Sequence, residues 1–167
     1  VRRRGTLGGS LAHGDPASDL PAAVLALGAT LVAQGPSGRR EIAADDFFTG
    51  FLETALAPDE LLTEIRVPKA GPGGFAYEKF NRRAQDWAIV GALAARVDGT
   101  TRVSLVNMGA TPLRASGVEA GGHEDLAAAA VEVEHLRRIR CEQEAVVARP
   151  LTHLVAAALQ HRDVEGI

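Results

Sequence analysis

The chain has 167 residues, 46% of them hydrophobic and 23% charged, with a formal net charge of −3. That length suits one ordinary domain or two small ones, since single domains run about 100–200 residues, and it excludes a large multi-domain enzyme. The composition is that of a folded globular protein, which excludes a disordered tail and makes a polybasic nucleic-acid binder a poor reading.

Aromatic residues are only 4%, so a core must be built mainly from Ala, Val and Leu. The 18 glycines exceed the usual share of about 7% and gather in runs such as Gly8-Gly9, Gly73-Gly74 and Gly121-Gly122. No apolar stretch reaches the roughly 20 residues that span a bilayer, and the start lacks the layout of a signal peptide. The single cysteine, Cys141, cannot close an internal disulfide or by itself hold zinc or an iron–sulfur cluster, so a cytoplasmic setting is expected. With Val1 first and Met108 the sole methionine, a processed or partial chain is expected.

From Val1 to Pro16 the sequence is basic, then glycine-rich, and loop or tight turn is expected over most of it. Ser18-Asp19 before Leu20-Pro21 predicts a helix N-terminus, with Ser or Asp as cap, and the helix should run to Leu27 and stop at Gly28. Thr30–Ala33 and Arg40–Ala43, joined by Gly35-Pro36-Ser37-Gly38, predict a hairpin. Asp45-Asp46-Phe47-Phe48 suggests a short helical turn. Leu61–Val67 predicts a strand ending at Pro68, with Leu61, Ile65 and Val67 as its apolar positions. Pro68–Gly74 is the expected boundary between two units, 1–70 and 71–167. Beyond it, strands are predicted over Phe75–Phe80, Ile89–Val97 and Val103–Met108, with a turn at Asp98-Gly99-Thr100. Helices are predicted over Asp125–Val133 and Ala145–Leu159. The whole reads as α+β.

Thr6-Leu7-Gly8-Gly9-Ser10 is the strongest local signal. Paired glycines let backbone amides approach an anion, and the flanking hydroxyls can donate to phosphate oxygens, so a diphosphate is the natural ligand. A plain glycine turn between two elements needs the same residues, and the segment lacks the P-loop lysine and the third glycine of the dinucleotide fingerprint. Lys79 stands out because only it and Lys69 are lysine among 18 basic residues. A lysine at a strand position supplies a compact point cation where arginine would supply a planar fork; a solvated strand face is the alternative. Ser10, His13 and Asp15 have the residue types of a hydrolase triad, but no nucleophile elbow surrounds the serine. His123, His135, His153 and His161 share no metal-ligand spacing with carboxylates. Cys141 reads as a small hydrophobe, and Arg137, Arg138 and Arg140 beside Glu132, Glu134, Glu142 and Glu144 as a solvated mixed-charge face.

The run Arg4-Gly5-Thr6-Leu7-Gly8-Gly9-Ser10 through Ser18-Asp19-Leu20-Pro21 resembles the second FAD-binding motif of the flavin (medium) subunits of molybdenum hydroxylases, as in aerobic carbon monoxide dehydrogenase and xanthine dehydrogenase. The resemblance continues through Asp46-Phe47-Phe48, Glu60–Ile65, Phe75–Lys79, Arg82-Arg83 with Asp86, Ala88-Ile89-Val90 and Thr111–Ala115. It implies part of a PCMH-type FAD-binding domain, its second subdomain, followed by a small C-terminal domain of antiparallel sheet and helices. It assigns Thr6, Leu7, Gly8, Gly9 and Ser10 to the FAD pyrophosphate, and Asp19, Leu62 and Lys79 to further cofactor contacts. Asp19 as helix cap and Leu62 as core leucine remain alternatives. Arg82, Arg83 and Asp86 would lie near the flavin ring or form a surface ion-pair cluster.

The resemblance further implies an oxidoreductase subunit that binds FAD and passes electrons from 2Fe-2S clusters of a small partner subunit to an external acceptor. The molybdenum cofactor would sit in a large partner subunit of a heterotrimeric complex that itself dimerises. Neither nucleic acid nor a membrane span enters this reading. The family's earlier glycine-rich motif, Ala-Gly-Gly-His-Ser, is not found here, so these 167 residues alone are expected to hold FAD weakly or not at all. A flavin-free structural or assembly subunit, or a degenerate fragment that keeps only the docking fold, is the alternative.

Overall fold

The computed structural model describes residues 4–121, apart from 70–73, 81, 82, 84, 85 and 98. The helices expected over Asp125–Val133 and Ala145–Leu159 lie outside the described residues. So do Cys141, Arg82, the four later histidines and the mixed-charge run around Arg137.

The expected N-terminal loop is corrected first. Leu7–His13 forms helix α1, so Gly8 and Gly9 are helical rather than turn residues. Three local features offset their poor propensity: Thr6 caps the start, Leu11 is fully buried, and Gly14, at φ 69°, closes the end with its N–H on the Leu11 carbonyl. Helix α2, Asp19–Ala26, follows from N-cap Ser18 and ends before Gly28, whose φ of 62° favours glycine.

Strands β1 (Thr30–Gly35) and β2 (Gly38–Ala43) form the expected hairpin, closed by the Gly35–Gly38 pair. A helical turn, α3 (Ala44–Phe47), leads into a small hairpin of β3 (Phe48–Gly50) and β4 (Glu53–Thr54). Strand β5, Leu61–Arg66, adds to the free edge of β1 to give the antiparallel order β2-β1-β5. Its pairing slips at Thr63: Ala33 faces Leu62, yet the next partner, Val32, faces Glu64. This bulge puts Leu62 and Ile65, three residues apart, against the same core, while Leu61 is left 72% exposed. The simple alternation read from the sequence therefore chose the wrong leucine.

The other sheet is a meander of β6 (Phe75–Phe80), β7 (Val90–Val97), β8 (Thr100–Val106) and β9 (Leu113–Arg114), all antiparallel, followed by α4 (Ser116–Gly121). Strand β8 begins three residues earlier than expected. One sheet face packs Val90, Ala92, Val103 and Leu105 against Val118 of α4. The opposite face meets α2 through Ala22 with Val106 and Ala26 with Ala95 and Val97. Val24 and Leu25 of α2 meanwhile join the core of the first sheet, with Leu11, Leu31, Ile42 and Phe47. One helix thus supplies both cores. The antiparallel sheets with helices against them match the α+β class expected from the sequence.

Candidate cofactor site

Thr6 begins the site. Its Oγ1 accepts the Gly9 N–H at 3.0 Å, and a Cβ on Gly9 would lie 2.7 Å from that oxygen. The first amides of any helix have no intrahelical acceptor, so the N–H groups of Leu7 and Gly8 point out of the N-terminus of α1. A Cβ built on Gly8 meets no atom within 4 Å. Neither glycine has positive φ. What the paired glycines provide is an unobstructed helix start, not the loop or tight turn expected from the sequence.

Ser10, one turn on, links this start to the next helix: its Oγ lies 3.0 Å from Ser18 Oγ. That contact occupies the hydroxyl expected to cap α2, and Ser18 makes no side-chain capping bond. Asp19 does not cap either. Its carboxylate reaches sideways to β6, where Tyr77 Oη donates to Oδ1 at 2.6 Å and Lys79 Nζ lies 3.1 Å from the same carboxylate. Asp19 keeps 47% of its side chain exposed and Lys79 keeps 29%, so the pair borders solvent. Burial, then the hydrogen bond and charge of Asp19, push the Tyr77 phenol well above the ordinary tyrosine value of 10.0.

The residues expected to act together are therefore joined in part. Ser10 meets Ser18, Ser18 precedes Asp19, and Asp19 meets Lys79. Leu62 connects less directly: it is half-buried on β5 and packs against the core that contains Leu11 of α1. The Asp86 N–H donates to the Arg83 carbonyl at 3.0 Å. Among the described residues no three His, Cys, Asp or Glu side chains come together as a metal site. Among them, too, no helix is long and apolar enough to cross a membrane.

Sequence reasoning did not single out Tyr77 or Gly91. A signal was available for the first, because Tyr77 is the sole tyrosine and stands two positions before Lys79, hence on the same strand face. Gly91 pairs with Lys79 across the sheet, and a Cβ there would lie 2.8 Å from the Tyr77 hydroxyl and 2.7 Å from Val106 Cγ2.

Residues 1–70 match the family described as FAD binding domain in molybdopterin dehydrogenase. The carbon monoxide dehydrogenase medium chain of Hydrogenophaga pseudoflava is 46% identical over 123 residues, covering 70% of this chain and 43% of that one. The nicotine 6-hydroxylase medium subunit of Paenarthrobacter nicotinovorans is 42% identical over 108 residues, covering 65% of this chain and 38% of that one. Among solved structures, carbon monoxide dehydrogenase from Hydrogenophaga pseudoflava, in a form lacking the Mo-pyranopterin moiety, superposes with a TM-score of 0.76 at 37% identity. That match covers 96% of this chain and 60% of the other. The chain spans less than half the length of these two curated relatives.

Proposed function

The chain belongs to the family of FAD-binding (medium) subunits of molybdenum hydroxylases, and from that premise we propose that it is a flavin-holding, electron-transferring oxidoreductase subunit. It takes electrons from iron–sulfur clusters of a small partner subunit and passes them to an external acceptor, while a large partner subunit carries the molybdenum cofactor. Residues 1–70 act as the second subdomain of the FAD-binding domain, and 71–167 as the C-terminal domain of the flavin subunit.

The observation that carries the reading is that the Thr6-capped start of α1 is tied through Ser10 to Ser18, and that the next residue, Asp19, meets Lys79. These residues fit FAD. The open start of α1 offers N–H groups and the Thr6–Ser10 segment to a pyrophosphate, where the partial positive charge of a helix N-terminus favours an anion. A carboxylate only accepts and an ammonium only donates, so Asp19 takes an O–H or N–H of the cofactor and Lys79 takes an acceptor oxygen or nitrogen. Leu62 gives an apolar contact. The bound flavin supplies the redox chemistry, and this chain's residues hold and orient it.

The test is flavin content in the full-length protein purified with its partner subunits. Asp19→Ala and Lys79→Ala are each expected to lower flavin retention by about tenfold, the equivalent of one charge-assisted hydrogen bond. Circular dichroism should show both variants folded. Unchanged flavin in both would remove these residues from the site. A parent complex free of flavin would favour a structural or assembly subunit.

A further inference from the structure

Tyr77 and Lys79 leave β6 on one face, the face on which α2 lies. The phenol reaches Asp19 across Gly91 of the neighbouring strand, where any Cβ would stand 2.8 Å from the hydroxyl. The bond it makes there is short, 2.6 Å, to Asp19 Oδ1. Asp19 otherwise sits on the first turn of a helix with its side chain half exposed, where nothing in its own helix fixes the carboxylate. Two donors from one strand face fix it: a neutral phenol and an ammonium 3.1 Å away. The ammonium and the carboxylate both border solvent and can meet a ligand as well. The phenol's single hydroxyl proton is committed to Asp19.

Resting on the flavin-holding reading above, we propose that Tyr77 is a positioning residue, whose hydroxyl fixes the Asp19 carboxylate so that Asp19 and Lys79 stand as a preset acceptor–donor pair for the cofactor. Tyr77 acts through Asp19 and does not itself touch the flavin. Because the carboxylate's remaining lone pairs can only accept, the cofactor group it takes is a hydroxyl or N–H donor and not a phosphate oxygen.

The experiment is a double-mutant cycle of FAD affinity in the full-length protein, comparing the parent, Tyr77→Phe, Asp19→Asn and the double variant after flavin removal. The expected result is that Tyr77→Phe weakens FAD several-fold and Asp19→Asn at least as much. The double variant should match Asp19→Asn alone, because the tyrosine has no route to the cofactor except the carboxylate. Losses that add, or a Tyr77→Phe variant with parental affinity beside a weakened Asp19→Asn, would overturn the positioning role. An Asp19→Asn variant with parental affinity would instead overturn the assignment of Asp19 to the cofactor site, and the proposal with it. A second readout needs no flavin. In the full-length protein the difference in phenolate absorbance between each background and its Tyr77→Phe counterpart isolates this one group, which should ionise at lower pH in Asp19→Asn than in the parent. An unmoved titration would overturn the contact itself.

Discussion

At the residue scale, the Tyr77 ring depends on the absence of a side chain at Gly91. Gly91→Ala would put a methyl 2.7 Å from Val106 Cγ2 and 2.8 Å from the phenol oxygen, in a strand that is buried. Overpacking of this kind costs about 1–3 kcal/mol, so denaturant unfolding should show a loss of that size; unchanged stability would mean that Tyr77 and Val106 shift freely. Tyr77 also sets an alkaline dependence. Its folded pKa is raised, so the stability it contributes is fully present below the ordinary value of 10.0 and is lost as pH rises above it towards the folded value. Tyr77→Phe should therefore be less sensitive than the parent to alkaline unfolding beyond pH 10.0, and equal sensitivity would deny the phenol this role. Lys79 is legible in the sequence because lysine is rare in this chain. Tyr77 is less so, because its partner lies 58 residues away and only the packing of α2 on the sheet brings them together.

At the scale of elements, the sequence reading went astray where local propensity met a specific cap or a bulge. Two glycines cost a helix about 1 kcal/mol each relative to alanine, which argued for loop over α1. The Thr6 cap and the buried Leu11 override that cost. Thr6→Ala should remove about 1 kcal/mol of helix stability and raise amide exchange at Gly9 and Ser10, and unchanged exchange there would show that Leu11 alone holds the helix. Strands of two or three residues, β3, β4 and β9, do not span one full alternation, and α4, at six residues, spans fewer than two helical turns, so none of them shows a period in the sequence. The hairpin β1–β2, by contrast, was legible from its Gly35–Gly38 turn. In the first sheet, Arg40 on β2 grips Glu60 just before β5 at 2.7 Å, and Glu60 also accepts the Ala57 N–H. The Arg40 hydrogen bond, then the Ala57 bond, lower the Glu60 carboxyl from 4.5 to about 2. A depressed carboxyl pKa contributes stability that is present above pH 4.5 and lost as pH falls through about 2. Glu60→Gln should flatten the acid limb of the stability profile in that window, and an unchanged limb would assign acid sensitivity to other carboxylates.

At the scale of the whole molecule, α2 decides how the two sheets act together. Ala22 and Ala26 are four residues apart and so share one stripe of the helix, and both are fully buried. Their small size lets the helix approach the four-stranded sheet closely enough for buried Ser104 on β8 to donate its hydroxyl to the Ala22 carbonyl at 2.7 Å. Val24 and Leu25 face the three-stranded sheet. The start of the same helix carries Asp19, which β6 of the four-stranded sheet holds through Tyr77 and Lys79. A boundary near residue 70 read from Pro and Gly content is therefore a boundary in sequence across which the packing is shared, and no local composition could reveal that. Ala26→Leu inserts three extra carbons where the helix meets Ala95 and Val97, at an expected cost of about 1–3 kcal/mol. Because α2 is common to both cores, amide protection should fall together at Leu31 in β1 and Leu105 in β8, in residues the substitution does not touch. A loss confined to 90–106 would show that the two sheets are stabilised independently and that α2 belongs energetically to only one of them.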